Sequence, residues 1–259
     1  MIVRYYEQID STNVQAQKEA AEGAENGTLI VADMQTAGRG RRGREWSSPA
    51  GKNIYFSLLL RPELEPDKAS MLTLVMALAV SKGMQRSMEA LNIENKKNHM
   101  LRPEIKWPND IVMNGKKVCG ILTEMGLKQK TIDYVVIGVG INVHSQEFAP
   151  EIVDTATCLD EECGKRVSRK LLLNHVVEAF EEYYEIFMQQ KRLEGLRFEY
   201  EELLVNRNRE VSVLDPQGEY RGVAKGITDT GELLVELADG STTKVYAGEV
   251  SVRGIYGYV

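Results

Sequence analysis

The rhythm of apolar positions changes near residue 205. Ahead of that point short apolar runs alternate with long helical stretches. Beyond it apolar residues recur at every second position between glycines. IVRYYE (2–7), TLIVADM (28–34), KNIYFSLLL (52–60), EIKW (104–107) and TIDYVVIGVGINV (131–143) predict strands, and TLIVADM and TIDYVVIGVGINV are continuous enough to be buried. DIVMNGKKVCGILTEM (110–125) predicts a hairpin turning at Asn114-Gly115, a favoured two-residue turn pair. Helices are predicted over 10–23, where Ser11 or Thr12 lies at the N-cap and Gly23 ends it, and over 70–91, whose apolar first half implies burial between layers. A third, over 171–190, carries Leu172, Val176, Phe180, Tyr183 and Phe187 on one side, and LEGLRFEYEELL (193–204) predicts a fourth. From about Arg207 the segments EVSVLD, EYRGVAKGI, ELLVELAD and STTKVYAG predict a small antiparallel β-barrel over 205–259, leaving a larger unit over 1–204. The first strand begins at residue 2, so no helix-turn-helix module is expected ahead of it.

Composition narrows the class. Hydrophobic residues make up 43% and charged residues 27% of 259, as in a globular chain with a sizeable core. The net charge of -6 excludes a general electrostatic footprint for nucleic acid, so any anion site must be local. Three scattered cysteines do not form a disulfide framework, and His99, His144 and His175 lack metal-ligand spacing. There is no signal-peptide core and no apolar run of membrane-spanning length, so a cytoplasmic protein is expected.

One local patch stands against the acidic background: GRGRRGR (38–44). Gly38-x-Gly40-x-x-Gly43 fits the dinucleotide fingerprint and follows a strand. That fingerprint needs a helix next, and the chain continues REWSSPAGKN, with Pro49 and Gly51, into another strand. It is not a Walker loop either, since no G-K-[ST] appears. Four arginines in seven positions repel one another unless an anion sits among them, which favours a Gly/Arg loop that closes on a ligand over a merely solvated loop. Trp46 is placed to stack on a ring or to fill the core.

KWPND (106–110) sets Lys106, Asn109 and Asp110 where a strand enters a turn, with Pro108 holding Trp107 extended. A structural salt bridge or a phosphate and metal site would both use these residues. Lys116 and Lys117 fall on opposite faces of the hairpin, so one must point inward and meet an anion. GVGIN (138–142) allows a backbone or ligand to come close, with Asn142 available to a ligand or to its own turn. DSTN (10–13) is either an N-cap or an anion-binding helix start, and Gln35 is open to similar readings.

DSTN, ADMQTAGRGRRGREWSSPAGKNIYFSLLL, KWPNDI, KVCGILTE and VIGVGINV occur in this order along the chain. In that order the chain resembles the biotin protein ligases (biotin–acetyl-CoA-carboxylase ligases), in a short form without the N-terminal DNA-binding domain of the repressor-type members. The resemblance implies an α+β fold, with a mixed-sheet catalytic domain packed with helices. It implies activation of biotin by ATP and Mg²⁺ to biotinyl-5'-AMP, then transfer to a lysine of a biotin carboxyl carrier protein.

Carried over by position, Lys117 and Arg41 are the implied catalytic residues. Ser11, Thr12, Asn13, Gln35, Arg39, Gly40, Arg41 and Lys117 are implied for biotin, and Arg39, Arg41, Arg44, Trp46, Lys106, Asn109 and Asn142 for ATP or the adenylate. Asp110 is the implied metal ligand, and residues 144–157 would order over the adenylate. A homodimer is compatible with the resemblance; a membrane partner is not expected. The rivals are a lipoate–protein ligase of the same architecture and a nucleic-acid-binding module that uses the arginine loop.

Overall fold

The computed structural model describes residues 1–93, 101–215, 218–247, 251–254 and 258–259; His99 lies outside them. Seven strands form the larger sheet: β1 (Ile2–Ile9), β2 (Thr28–Gln35), β3 (Ile54–Leu60), β4 (Glu104–Lys106), β5 (Asp110–Met113), β6 (Lys116–Lys128) and β7 (Thr131–Ile141). Their order is β1-β2-β3-β7-β6-β5-β4. Only β1 and β2 run parallel, joined through α1 (Thr12–Ala21), so the sheet is mixed. The hairpin between β5 and β6 turns at Asn114-Gly115, both with positive φ (49° and 76°), as such a turn requires.

The sheet is covered on both faces, which explains its continuous apolar strands. Ile30, Leu59 and Val136 pack on Ala16 and Ala20 of α1. Val31, Leu58 and Ile137 belong to the main core, with α2 (Met71–Ala90) and α4 (Arg169–Gln190). The first half of α2 is buried nearly all round because it lies between the sheet and α4. The two helices meet closely enough that a Cβ on Gly83 would stand 2.5 Å from Val176 Cγ2. α4 turns Leu172, Val176, Phe180, Tyr183 and Phe187 inward, and α3 (Leu159–Cys163) and α5 (Arg197–Leu203) are short.

The C-terminal segment differs from expectation. Strands β8 (Glu210–Asp215), β9 (Gly218–Ile227), β10 (Leu233–Glu236), β11 (Thr242–Val245) and β12 (Ser251–Gly254) form an antiparallel sheet in the order β11-β10-β9-β8-β12. Among the described residues its outer strands do not pair, so the sheet is open and not a barrel. The reason lies in what covers its apolar face. Val211, Val213, Leu233 and Val235 share one core cluster with Leu74, Leu193 and Trp107, and Trp107 Nε1 donates to Gly231 O at 3.0 Å. The sheet therefore buries its face against the larger unit and need not curl on itself. No helix among the described residues is long and apolar enough to cross a membrane.

Candidate functional site

The site begins with three glycines in adjacent strands. Gly120 of β6 pairs with Gly140 of β7, and Gly138 lies one pleat along, opposite Leu122. A Cβ on Gly138 would lie 2.0 Å from Asn13 Oδ1, and one on Gly140 would lie 2.5 Å from Trp46 Nε1. One on Gly120 would lie 2.8 Å from the Trp46 ring. The sheet is thus bare at these places, and Asn13 and Trp46 rest directly on its backbone.

Between them is a narrow cavity of about 50 Å³, lined by Ser11, Thr12, Asn13, Gln35, Arg39, Gly40, Trp46, Asn109 and Lys117. Its polar groups are fixed from behind. Gln35 Oε1 accepts from Thr12 N (2.8 Å) and from Thr12 Oγ1 (3.1 Å), and its amide donates to Ser48 Oγ (2.9 Å). Asn13 donates to Glu124 Oε2 at 2.8 Å, and the Ser57 hydroxyl lies 2.6 Å from Asn13 Oδ1. Ser11 occupies the N-cap of α1 with extended φ of -157°, yet its side chain makes no capping bond. The sequence motif therefore serves the cavity more than the helix start. Ser57 and Glu124 lie within the quoted ADMQTAGRGRRGREWSSPAGKNIYFSLLL and KVCGILTE stretches, but nothing in the sequence assigned either of them a part in the site.

The arginine loop is a narrow ribbon with a 3₁₀ turn at Arg41–Gly43 and Arg42 at φ 58°. Trp46 N donates to Gly38 O (2.9 Å) and Gly40 N to Arg44 O (2.7 Å). Arg39 and Arg41 consequently diverge. Arg39 pairs with Glu124 (3.2 Å), and Arg41 Nη1 donates to Asn109 Oδ1 (2.8 Å).

KWPND forms the opposite wall, with a cis peptide between Trp107 and Pro108. Asn109 is tied to β6 through Asn109 Nδ2 to Ile121 O (3.0 Å) and Ile121 N to Asn109 O (2.9 Å). Of the two hairpin lysines, Lys116 is exposed and Lys117 points inward, 2.6 Å from Asp110 Oδ1 and 5.3 Å from the Trp46 ring centroid. Burial pushes the Asp110 carboxyl up, but the Lys117 ammonium and the hydrogen bonds from Lys117 and Tyr258 outweigh it and hold it below its ordinary value. Burial lowers Lys106 to about 8 against the opposing charge of Asp110.

A second cavity, about 290 Å³, adjoins the first and is lined by Arg41, Arg44, Asp110, Asn142, Phe148, Ile152 and Tyr258. Gly40, Trp46, Asn109 and Lys117 line both. The 144–157 segment forms one wall and is bonded to the backbone of Lys117: Lys117 N donates to Thr155 O (2.7 Å) and Thr157 N to Lys117 O (2.9 Å). Asn142 donates to Thr157 O (3.1 Å), so it both holds this segment and lines the cavity. Lys106 stands behind Tyr258, with Nζ 3.4 Å from the Tyr258 ring centroid. Tyr258 also donates to Asp110 Oδ2 at 2.5 Å. Tyr258 lies 148 positions from Asp110, and no sequence pattern links the two.

Among the described residues no group of three or more His, Cys, Asp or Glu side chains converges as a metal site. The carboxylates that line the second cavity are Asp110, Glu45 and Glu147.

Residues 5–142 match the Biotin/lipoate A/B protein ligase family, and residues 208–253 match the biotin protein ligase C terminal domain. The bifunctional ligase/repressor BirA of Bacillus subtilis is 38% identical over 251 residues, covering 96% of this chain and 73% of the relative. A biotin–[acetyl-CoA-carboxylase] ligase of Paracoccus denitrificans is 31% identical over 87% of this chain and 90% of its own. The biotin protein ligase from Aquifex aeolicus in complex with biotin and ATP superposes with a TM-score of 0.81, at 31% identity over 98% of this chain and 99% of the other. The chain belongs to the biotin protein ligases. In this biotin protein ligase the DSTN helix start, the arginine loop, KWPND and the β6–β7 glycines, far apart in the chain, close around two joined cavities.

Proposed function

We propose that the enzyme activates biotin with MgATP to biotinyl-5'-AMP, releasing pyrophosphate, and then transfers the biotinyl group to a lysine of a biotin carboxyl carrier protein. The observation that carries this reading is the position of Lys117, which lines both cavities at their junction. A reaction that joins a carboxylate to the α-phosphate of a nucleotide needs a cation at that junction, because the two anions repel.

The small polar cavity suits biotin. Ser11, Thr12, Asn13 and Gln35 would meet its ureido end, and Arg39, Gly40, Arg41 and Lys117 its carboxylate. The larger cavity suits the adenylate, with Arg41, Arg44, Trp46, Asn109 and Asn142 about it. Lys106 and Asp110 would serve the phosphates and the Mg²⁺ that ATP brings. In the first step a biotin carboxylate oxygen attacks the α-phosphorus and pyrophosphate leaves. In the second the carrier amine attacks the acyl carbon, AMP leaves and the amine loses a proton. Lys117 and Arg41 would stabilise charge on the phosphoryl oxygens in both. The walls formed by residues 144–157 and the arginine loop would exclude water from the anhydride.

Residues 1–204 would act as the catalytic unit and 205–259 as its C-terminal partner, through the charge of Arg253 near Lys106 and the contacts of Tyr258 with Lys106 and Asp110. Three free cysteines agree with a cytoplasmic setting. A homodimer belongs to the same reading, with the exposed edge strand β1 as the available surface. Lipoate is the rival substrate within the same family, and the relatives named above favour biotin. The test is mass spectrometry after incubation with ATP, Mg²⁺, biotin or lipoate, and a biotin carrier domain. Addition of one biotinyl group to the carrier lysine is expected. Addition of lipoyl alone, or of neither, refutes the reading.

A further inference from the structure

Lys106 and Asp110 are the groups that this reading assigns to phosphate and metal, yet Lys106 lines neither cavity, and Asp110, on the wall of the second, has one oxygen on Tyr258 and the other beside Lys117. The Tyr258 ring lies over Lys106 Nζ at 3.4 Å, and its hydroxyl donates to Asp110 Oδ2. Lys106 is buried, at 6% exposure, and no carboxylate lies within ion-pairing distance of its ammonium among the described residues. A buried ammonium under an aromatic face is held by a weaker partner than a phosphate would be. A carboxylate that accepts a phenol hydroxyl likewise has one oxygen engaged that a divalent cation would need.

We propose that Tyr258 is a displaceable occupant of the triphosphate–metal subsite, its ring standing in for the anion on Lys106 and its hydroxyl for the cation on Asp110. MgATP must move it aside to reach both groups. The inference rests on the proposed function. Its physical content is competition: apparent nucleotide affinity falls by the fraction of molecules in which Tyr258 is out of the subsite.

The residue next to Tyr258 is seated in a way that allows a test away from the site. The main chain of Val259 crosses β12 at Gly254, where an added Cβ would lie 2.0 Å from the Val259 carbonyl oxygen. Gly254 is a strand residue paired with Val211, so alanine fits the strand but not the crossing chain. Gly254 lines neither cavity, so Gly254→Ala should unseat Tyr258 without changing any side chain of the two cavities.

The experiment is isothermal titration of the full chain with MgATP and, separately, with biotin, for wild type, Tyr258→Ala and Gly254→Ala. Both variants are expected to bind MgATP roughly tenfold more tightly, the scale of releasing a charged hydrogen bond and a cation–π contact. Biotin affinity should stay within about twofold of wild type, which also verifies the fold. Should Tyr258→Ala fail to fold, Gly254→Ala carries the same expectation. MgATP affinity that is unchanged or weaker, or biotin affinity that moves as far as MgATP affinity, overturns the proposal. Wild type that binds neither ligand overturns the proposed function, and this inference with it.

Discussion

The Lys117 ammonium lies 2.6 Å from Asp110 Oδ1, at the boundary between the two cavities. The pair keeps a cation where the reaction needs one and keeps that cation in a fixed position before any ligand arrives. Lys117→Ala is expected to slow adenylate formation at least about a hundredfold, from loss of roughly 3 kcal/mol of charge stabilisation. Pyrophosphate release near the wild-type rate would remove Lys117 from this role.

Asp110 predicts a pH effect on stability. Its folded-state value lies below the ordinary 3.8, so its charge stabilises the native state above that pH. The contribution is lost as pH falls through the folded value. The stability gap between wild type and Asp110→Asn should therefore narrow between about pH 5 and about pH 3 in urea titrations. A gap constant over that range would show that Asp110 titrates as it does in the unfolded chain.

Lys106, lowered to about 8, gives a slope of the same sign in a higher pH window. Between about 8 and its ordinary 10.5 the unfolded chain holds more of its proton than the native state does, so this group makes stability rise with pH there. A phosphate beside it would raise its pKa again. MgATP binding near pH 8 should take up about half a proton, and almost none near about pH 6.5. Calorimetry in buffers of different ionisation enthalpy measures this, and Lys106→Met should abolish the uptake. Equal uptake in Lys106→Met would assign the proton elsewhere.

Much of this framework was legible in the sequence. The apolar runs marked the strands and the two long helices, and Asn114-Gly115 marked the hairpin. Alternation along β6 required one of Lys116 and Lys117 to face inward; the resemblance pointed to Lys117, and the structure turns Lys117 inward against Asp110. What the sequence could not convey was contact across long separations. Asn13 rests on Gly138 and donates to Glu124, 111 positions away. Tyr258 reaches Asp110 across 148 positions. No local periodicity encodes such pairs; they follow from strand order. The open C-terminal sheet was missed for a related reason: alternation shows that one face is apolar, not whether the cover is the sheet itself or a neighbour.

Glu124 holds Asn13 and Arg39 at once, two groups that the proposed function sets against biotin. Glu124→Ala is expected to weaken biotin binding roughly tenfold, about 1.4 kcal/mol. Glu124→Gln, which can still accept from Asn13, should lose less. Titration with biotin checks both, and equal losses would mean that the charge on Glu124 matters more than its hydrogen bond to Asn13.

Arg41→Gly should still make the adenylate but retain it poorly, because the guanidinium that donates to Asn109 at the cavity junction is removed and the loop gains freedom. The freed anhydride would acylate lysines at random. Mixing the variant with ATP, biotin and serum albumin and blotting for biotin measures the leak. Albumin labelling no higher than with wild type, while adenylate is still formed, would show that Arg41 does not retain it.

The bare backbone at Gly120, Gly138 and Gly140 bears on how the pocket can be redesigned. A floor without side chains cannot be lowered by substitution, and any side chain added there strikes Asn13 or Trp46. Room for a bulkier acid must therefore come from trimming the residues laid over the floor, with Trp46 the larger volume to remove. Ligand selectivity in this enzyme is adjustable from above and nearly rigid from below.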